Sequence, residues 1–229
     1  MNKILVFLLI LMNSTAFCQN DTVQLVSGKQ LIVNITEFNK EKVTYNKFQK
    51  KSGKVINKNS FVDGYRVYSI TKNNEKSILY RQNAIVGNPL SVKEMGVFVK
   101  GSRFAIDHYS PKLWGLGGAL TSFGVVTFDT YLSKSAATSA GLSPGLYKDN
   151  AGPGLLSILT PFVFTVVSGT FKVKLNSTKI TDRALLLDDH FIDGYSYKAR
   201  SKKVFACLKG SAIGLGLGLL TWGTVQLAN

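Results

Sequence analysis

Residues 210–218 read Gly-Ser-Ala-Ile-Gly-Leu-Gly-Leu-Gly, and the run 210–228 to which they belong has no charged side chain. Gly210, Gly214 and Gly218 are four apart, so on a helix they fall nearly in one line, which Ala206 continues. In water each glycine costs a helix about 1 kcal/mol against alanine. In a bilayer the lack of solvent for the backbone enforces helicity, and a line of small residues lets a second helix approach closely. The stretch therefore predicts a membrane-embedded helix with a packing groove. The competing reading is a tightly packed soluble bundle.

Two more apolar segments lie upstream. Residues 113–132 carry one charge, Asp129, and residues 151–171 carry none. Each approaches the roughly 20 residues that cross a hydrocarbon core. Ser157, Pro161, Thr165 and Gly169 repeat the four-residue spacing in one; Gly117 with Thr121, and Gly118 with Ser122, do so in the other. Gly117, Gly118, Gly169, Gly210, Gly214 and Gly218 are thus the candidate helix-packing residues. Residues 172–209, before the last segment, are polar and basic, with a helix expected from Asp188. Lys198, Arg200, Lys202, Lys203 and Lys209 cluster there. At a membrane surface each gains about 1 kcal/mol from anionic headgroups; the alternative is a solvated helix face.

An internal repeat runs through these segments. Phe98-x-x-Gly101-x-x-Phe104 matches Phe191-x-x-Gly194-x-x-Tyr197 at an offset of 93, and Gly117–Gly118 matches Gly210–Ser211 at the same offset. Two similar helical units packed with approximate symmetry would produce this pattern. The first copy begins in an expected amphipathic helix over 92–109, which Pro111 interrupts.

Residues 21–82 differ in kind. Leu31, Val33 and Ile35 alternate with Ile32, Asn34 and Thr36, and Val43 and Tyr45 with Lys42, Thr44 and Asn46. This period of two predicts half-buried strands. Ser27–Gly28–Lys29 and Asn73–Asn74 supply turns. Five or six short strands in so few residues suit a small closed barrel, and the pattern resembles Sm-like or SH3-like barrels. The expected fold class is α+β: residues 21–82 a small β barrel, 83–111 a linker and amphipathic helix, and 112–229 a Gly-rich, membrane-associated helical domain.

Met1–Asn2–Lys3, the apolar run 4–12 and the small or polar residues after it form a secretory signal peptide, with an apolar core too short to span. Residues 1–18 are expected to be removed, with cleavage before Gln19. The rival is lipidation of Cys18, against which Phe17 argues. Cleavage leaves Cys207 as the only thiol, so no internal disulfide is expected.

The segment Phe191-x-x-Gly194–Tyr195-x-x-x-Ala199–Arg200-x-Lys202–Lys203, with the Gly-rich apolar end after it, resembles the C-terminus of an uncharacterised family of exported bacterial envelope proteins. These share a signal peptide, a small β domain and Gly-rich apolar helices. The resemblance implies this architecture and no catalytic residue.

Catalytic and metal patterns are poor. Gly141-Leu-Ser143-Pro144-Gly145 fits a nucleophile elbow, but Pro144 has no N–H for the oxyanion hole. Asp188, Asp189 and His190 are adjacent and cannot all face one ion from a helix; the acids suit a helix N-terminus instead. Gly214-x-Gly216-x-Gly218 follows no strand, and no acidic residue comes after it, so it is no dinucleotide fingerprint. No catalytic residue, cofactor or metal is expected.

The chain has 229 residues and a net charge of +15, yet is 45% hydrophobic. A disordered polycation lacks such apolar content. Residues 21–92 hold 12 basic and 5 acidic side chains, and 93–229 hold 15 and 8. The apolar segments are nearly free of them. Export argues against nucleic acid as partner; anionic lipid headgroups, a second copy or another envelope protein are the expected ones. Three spans with the β domain outside would leave the more basic loop, 172–209, outside too, against the positive-inside rule, which argues against three clean inner-membrane spans; an outer-membrane or shallow helical arrangement avoids the conflict. The sequence therefore predicts a non-catalytic, exported envelope protein, its β domain periplasmic and its helices in a membrane. The alternative is a soluble periplasmic binding module whose Gly-rich helices form a buried core.

Overall fold

The computed structural model describes residues 21–51, 54–139, 153–175, 177, 180 and 182–227. The expected signal peptide, residues 1–18, with Cys18, and the Gly141–Gly145 motif lie outside the described residues. The protein is α+β, and its described residues form six antiparallel strands followed by four α-helices. It divides into two compact units, Met1–Val99 and Lys100–Asn229.

In the first unit β1 (Asp21–Leu25), β2 (Gln30–Phe38), β3 (Lys42–Lys51), β4 (Lys54–Asp63), β5 (Val67–Lys72) and β6 (Glu75–Ile78) form one sheet in the order β4-β3-β2-β1-β5-β6. Alternation decides what is buried. Val23 and Leu25, Val33 and Ile35, Val43 and Tyr45, and Val67 and Ile70 form one apolar cluster, while Ile32, Asn34 and Thr36 are exposed. The β1–β2 turn needs Gly28, whose φ is 77°. Asn73 and Asn74 have φ of 52° and 66°, the left-handed pair of a tight hairpin turn. The sheet shifts register on β2 between Ile35 and Glu37. There the buried Asp21 carboxylate accepts the Ile35 N–H at 2.9 Å.

The sheet is open, whereas the sequence suggested a closed barrel. Closure requires the two edge strands to pair. Here β6 has four residues, all exposed, and pairs with β5 alone. At the other edge β4 pairs with β3 along its whole length, from Lys42↔Asp63 to Lys51↔Lys54. On its other side β3 pairs with β2 over Val43–Asn46 only, while Gln30–Val33 of β2 pair with β1, so the outer half of the β3–β4 hairpin is not paired to β2.

Helix α1 (Val92–His108) starts with a capping box. Ser91 Oγ accepts the Glu94 N–H at 3.3 Å, and Glu94 Oε2 accepts the Ser91 N–H at 2.8 Å. Its first half, through Met95 and Val99, packs with Tyr80 in the first unit. Burial pushes the Tyr80 phenol above its ordinary value, helped by the charge of Glu94; its hydroxyl donates to Leu90 O at 2.8 Å. The boundary between units falls inside α1, after Val99.

The second unit holds the end of α1 together with α2 (Lys112–Ser139), α3 (Leu155–Thr170) and α4 (Asp189–Leu227). Asp188 caps α4, accepting the His190 N–H at 3.0 Å. No proline or other breaker separates the basic stretch from the apolar one, so they form a single helix of 39 residues, about 58 Å long at 1.5 Å per residue.

Candidate functional site

The line of glycines on α4 is filled from within the chain. A Cβ on Gly210 would overlap the backbone carbonyl of Gly115, and one on Gly214 that of Ala119. On Gly218 it would stand 2.7 Å from Val126 Cβ, and on Gly118 2.7 Å from both Cys207 O and Ser211 Oγ. Side chains cannot occupy such gaps, so α2 and α4 meet backbone to backbone. Gly117 and Gly169 face α3 and α4 respectively at ordinary contact, 3.6 Å to Phe164 Cζ and 3.4 Å to Val204 Cγ2.

The register of these contacts has one direction. Gly115 meets Gly210, Gly118 meets Ser211, Ala119 meets Gly214 and Val126 meets Gly218. Below them, Ser102 Oγ donates to Gly194 O at 2.9 Å, and Ala105 packs with Tyr195 and Ala199. Numbers rise together on both sides, so α1 and α2 run parallel to α4. The offset stays near 93, and the helical parts of the repeat from Gly101 and Gly194 onward lie side by side.

Helix α3 runs the other way. Its start lies beside Asp129 of α2, whose Oδ2 accepts the Ser157 N–H at 3.0 Å and the Ser157 hydroxyl at 2.7 Å. The one acid of the apolar segment 113–132 thus caps an N-terminus where free N–H groups and the helix dipole favour it. The far end of α3 lies beside Trp114, whose ring centroid is 5.9 Å from that of Phe171.

The basic cluster splits into two groups. Lys202 donates from Nζ to Ala105 O, Ile106 O and Tyr109 O at 3.2, 2.9 and 2.5 Å, closing the C-terminus of α1. Lys203, 1% exposed, donates to Phe171 O at 2.6 Å just past α3 and lies 4.7 Å from the centre of the Trp114 ring. Two helix C-termini are therefore capped by cations, the polarity their dipoles favour. Beside them burial raises the Tyr109 phenol above its ordinary value, as do the neighbouring Tyr195 and Cys207. Arg200 and Lys209 are exposed and Lys198 is half-buried.

Along α2, α3 and the apolar part of α4 several polar side chains are buried and many large apolar ones are exposed. Ser122, Ser157, Ser168, Ser211, Asp129 and Lys203 are buried, while Leu113, Val166 and Leu220 are 82%, 70% and 67% exposed. Only 28% of the most apolar eighteen-residue window of α4 is buried, and this helix is long and apolar enough to cross a membrane. Among the described residues no group of three His, Cys, Asp or Glu side chains is placed to hold a metal ion. His108 stacks on Phe104, with ring centroids 4.2 Å apart.

No family model matches the chain, and neither a curated protein nor a solved structure shows significant similarity to it. The sequence pointed to the α4 glycines but not to their partners Gly115 and Ala119, nor to the Asp129–Ser157 cap. A single acid in an apolar run was the available signal for that cap.

Proposed function

We propose that this is a non-catalytic, exported envelope protein held in a membrane by α2, α3 and α4, with its β unit presented to the periplasm for interaction or scaffolding. The burial pattern of these helices carries the reading. A soluble bundle buries its leucines and valines and exposes serine and aspartate, whereas along α2, α3 and the apolar part of α4 most leucines and valines are exposed and Ser122, Ser157, Ser168, Ser211 and Asp129 are buried. A bilayer rewards that arrangement, since lipid is the solvent for the apolar side chains, and the Asp129–Ser157 and Lys203–Phe171 hydrogen bonds tie the helices together. At 1.5 Å per residue, 113–132 and 210–227 are about 30 and 27 Å long, close to a hydrocarbon core of about 30 Å; α3, with 16 residues, reaches about 24 Å and stops short of it.

Lys202 and Lys203 spend their charge on helix ends within the chain. This weakens the orientation conflict that a count of basic residues in 172–209 creates. Lys198, Arg200 and Lys209 remain for anionic headgroups. For the β unit, the sheet is open and the edges of β4 and β6 are left without a partner strand among the described residues. A partner strand at either edge, from a second copy or another envelope protein, would supply the missing pairing.

Alkaline carbonate extraction of cell membranes tests the proposal. The protein is expected to stay in the pellet and, after its signal peptide is cleaved, to carry its β unit on the side reached by protease in spheroplasts. Release into the supernatant supports the alternative, a soluble periplasmic binding module with the helices as its core.

A further inference from the structure

The α2–α4 seam has one covered side and one open side. Helix α3 covers the first, through Phe164 against Gly117 and through Gly169 against Val204. Along the other runs a groove of about 380 Å³, within the range of small-ligand sites. Gly115, Leu116, Ala119, Ala206, Gly210 and Ile213 line its apolar part. The backbones of α2 and α4 approach closely at Gly115 and Gly210, which leaves small residues and open space between the larger Leu116 and Ile213.

The groove is not apolar throughout. Lys112 and Lys209 line it together with Pro111, both lysines are exposed, and neither forms an ion pair among the described residues. Lys112 is the first residue of α2, so the free N–H groups and positive dipole of a helix start lie at the same end. Two ammonium groups and a helix N-terminus at one end of an apolar channel match one amphiphile: a phosphate attached to a hydrocarbon chain. Basic pockets between membrane helices recognise lipid headgroups on this principle.

The geometry points to a specific site for an anionic phospholipid of the surrounding bilayer, with its phosphate between Lys112 and Lys209 and one acyl chain along Leu116 and Ile213. A zwitterionic lipid offers the same chain, but its own cation competes for the phosphate charge. The site rests on the membrane reading above and adds to it a particular lipid class and position.

The test uses the full mature chain purified in detergent. Phosphatidylglycerol or phosphatidylcholine is titrated in, and bound lipid is counted by native mass spectrometry. Phosphatidylglycerol is expected to bind at one tight site at least tenfold more strongly than phosphatidylcholine. Lys112→Gln with Lys209→Gln should remove that preference. Leu116→Trp, which fills the channel and leaves the charges alone, should weaken phosphatidylglycerol too. Lys172→Gln, outside the groove, is the control and should change nothing. Equal binding of the two lipids, an unaltered preference in the double variant, or equal losses with Lys172→Gln would overturn the site. Carbonate extraction of the same variants separates the two levels: pelleted protein without lipid preference refutes the site alone, and wild-type protein in the supernatant refutes the membrane reading beneath it.

Discussion

A methyl group on Gly210 would overlap the backbone carbonyl of Gly115, 95 positions earlier in the chain. The closest approach of α2 and α4 thus depends on a missing side chain, and the glycine line of α4 is an intrachain seam. Its small residues are already engaged with α2, so a second copy of the protein has to associate through another face.

Substitutions along α4 should therefore sort by facing. Gly210→Ala and Gly214→Ala place a methyl against backbone that cannot yield, and overpacking of that kind costs about 1–3 kcal/mol each. A Cβ on Gly216 would meet nothing within 4 Å, so Gly216→Ala should be neutral or gain up to about 1 kcal/mol from helix propensity. Thermal unfolding in detergent gives the order. Cys207, wholly buried in the same seam, supplies a second readout: maleimide should label it slowly in wild type and Gly216→Ala, and faster in Gly210→Ala. Equal melting temperatures for the 210 and 216 variants would refute the seam.

The lysines make a similar contrast. Lys202 donates to three carbonyls and Lys203 to one. A hydrogen bond from a charged group is worth about 1.5–3 kcal/mol, and orphaned carbonyls add to its loss. Lys202→Met and Lys203→Met should each lower stability by about 2–3 kcal/mol, with Lys202→Met fraying the end of α1 in hydrogen exchange. Arg200→Gln, on the exposed side, should stay within about 0.5 kcal/mol. If all three variants melt together, the caps contribute nothing.

What the sequence revealed and what it hid divide along local and non-local lines. The alternation of Val33 and Ile35 with exposed neighbours and the Asn73–Asn74 turn are set by residues within a few positions of one another, and both were read; the Ser91/Glu94 cap is equally local and was missed. The offset of 93 between repeats is also in the sequence, but that the copies lie side by side depends on packing. Barrel closure depends on the two edge strands meeting, which no pattern within a strand encodes. Lys202 and Lys203 look like surface charges because the carbonyls they cap belong to residues 32 to 97 positions away.

Asp129 tests whether α3 is held by its cap. Its carboxylate receives both the backbone N–H and the hydroxyl of Ser157 in a buried place. Asp129→Ala removes the acceptor and leaves a buried N–H at the helix start, a loss of about 1–3 kcal/mol. Asp129→Asn keeps an oxygen acceptor and should recover part of it. The expected stability order is wild type, Asn, Ala, and Ser157→Ala should cost little on top of Asp129→Ala because the two share one interaction. Additive losses in that double variant would show the two residues to be independent.

Asp21 poses the same question in the β unit. The register shift on β2 leaves the Ile35 N–H to a side chain, and Asp21 Oδ2 accepts it at 2.9 Å. The neighbouring carbonyl of Ile35 receives Lys72 Nζ at 3.3 Å. Asp21→Ala orphans that amide in a buried site, which should cost about 1–3 kcal/mol; Asp21→Asn retains an acceptor and should cost less. Hydrogen exchange locates the effect, because the Ile35 amide should lose protection before those of Val23 and Val33, whose ladder bonds do not depend on the carboxylate. Uniform loss of protection across the sheet would mean that Asp21 acts on global stability and does not pin the bulge.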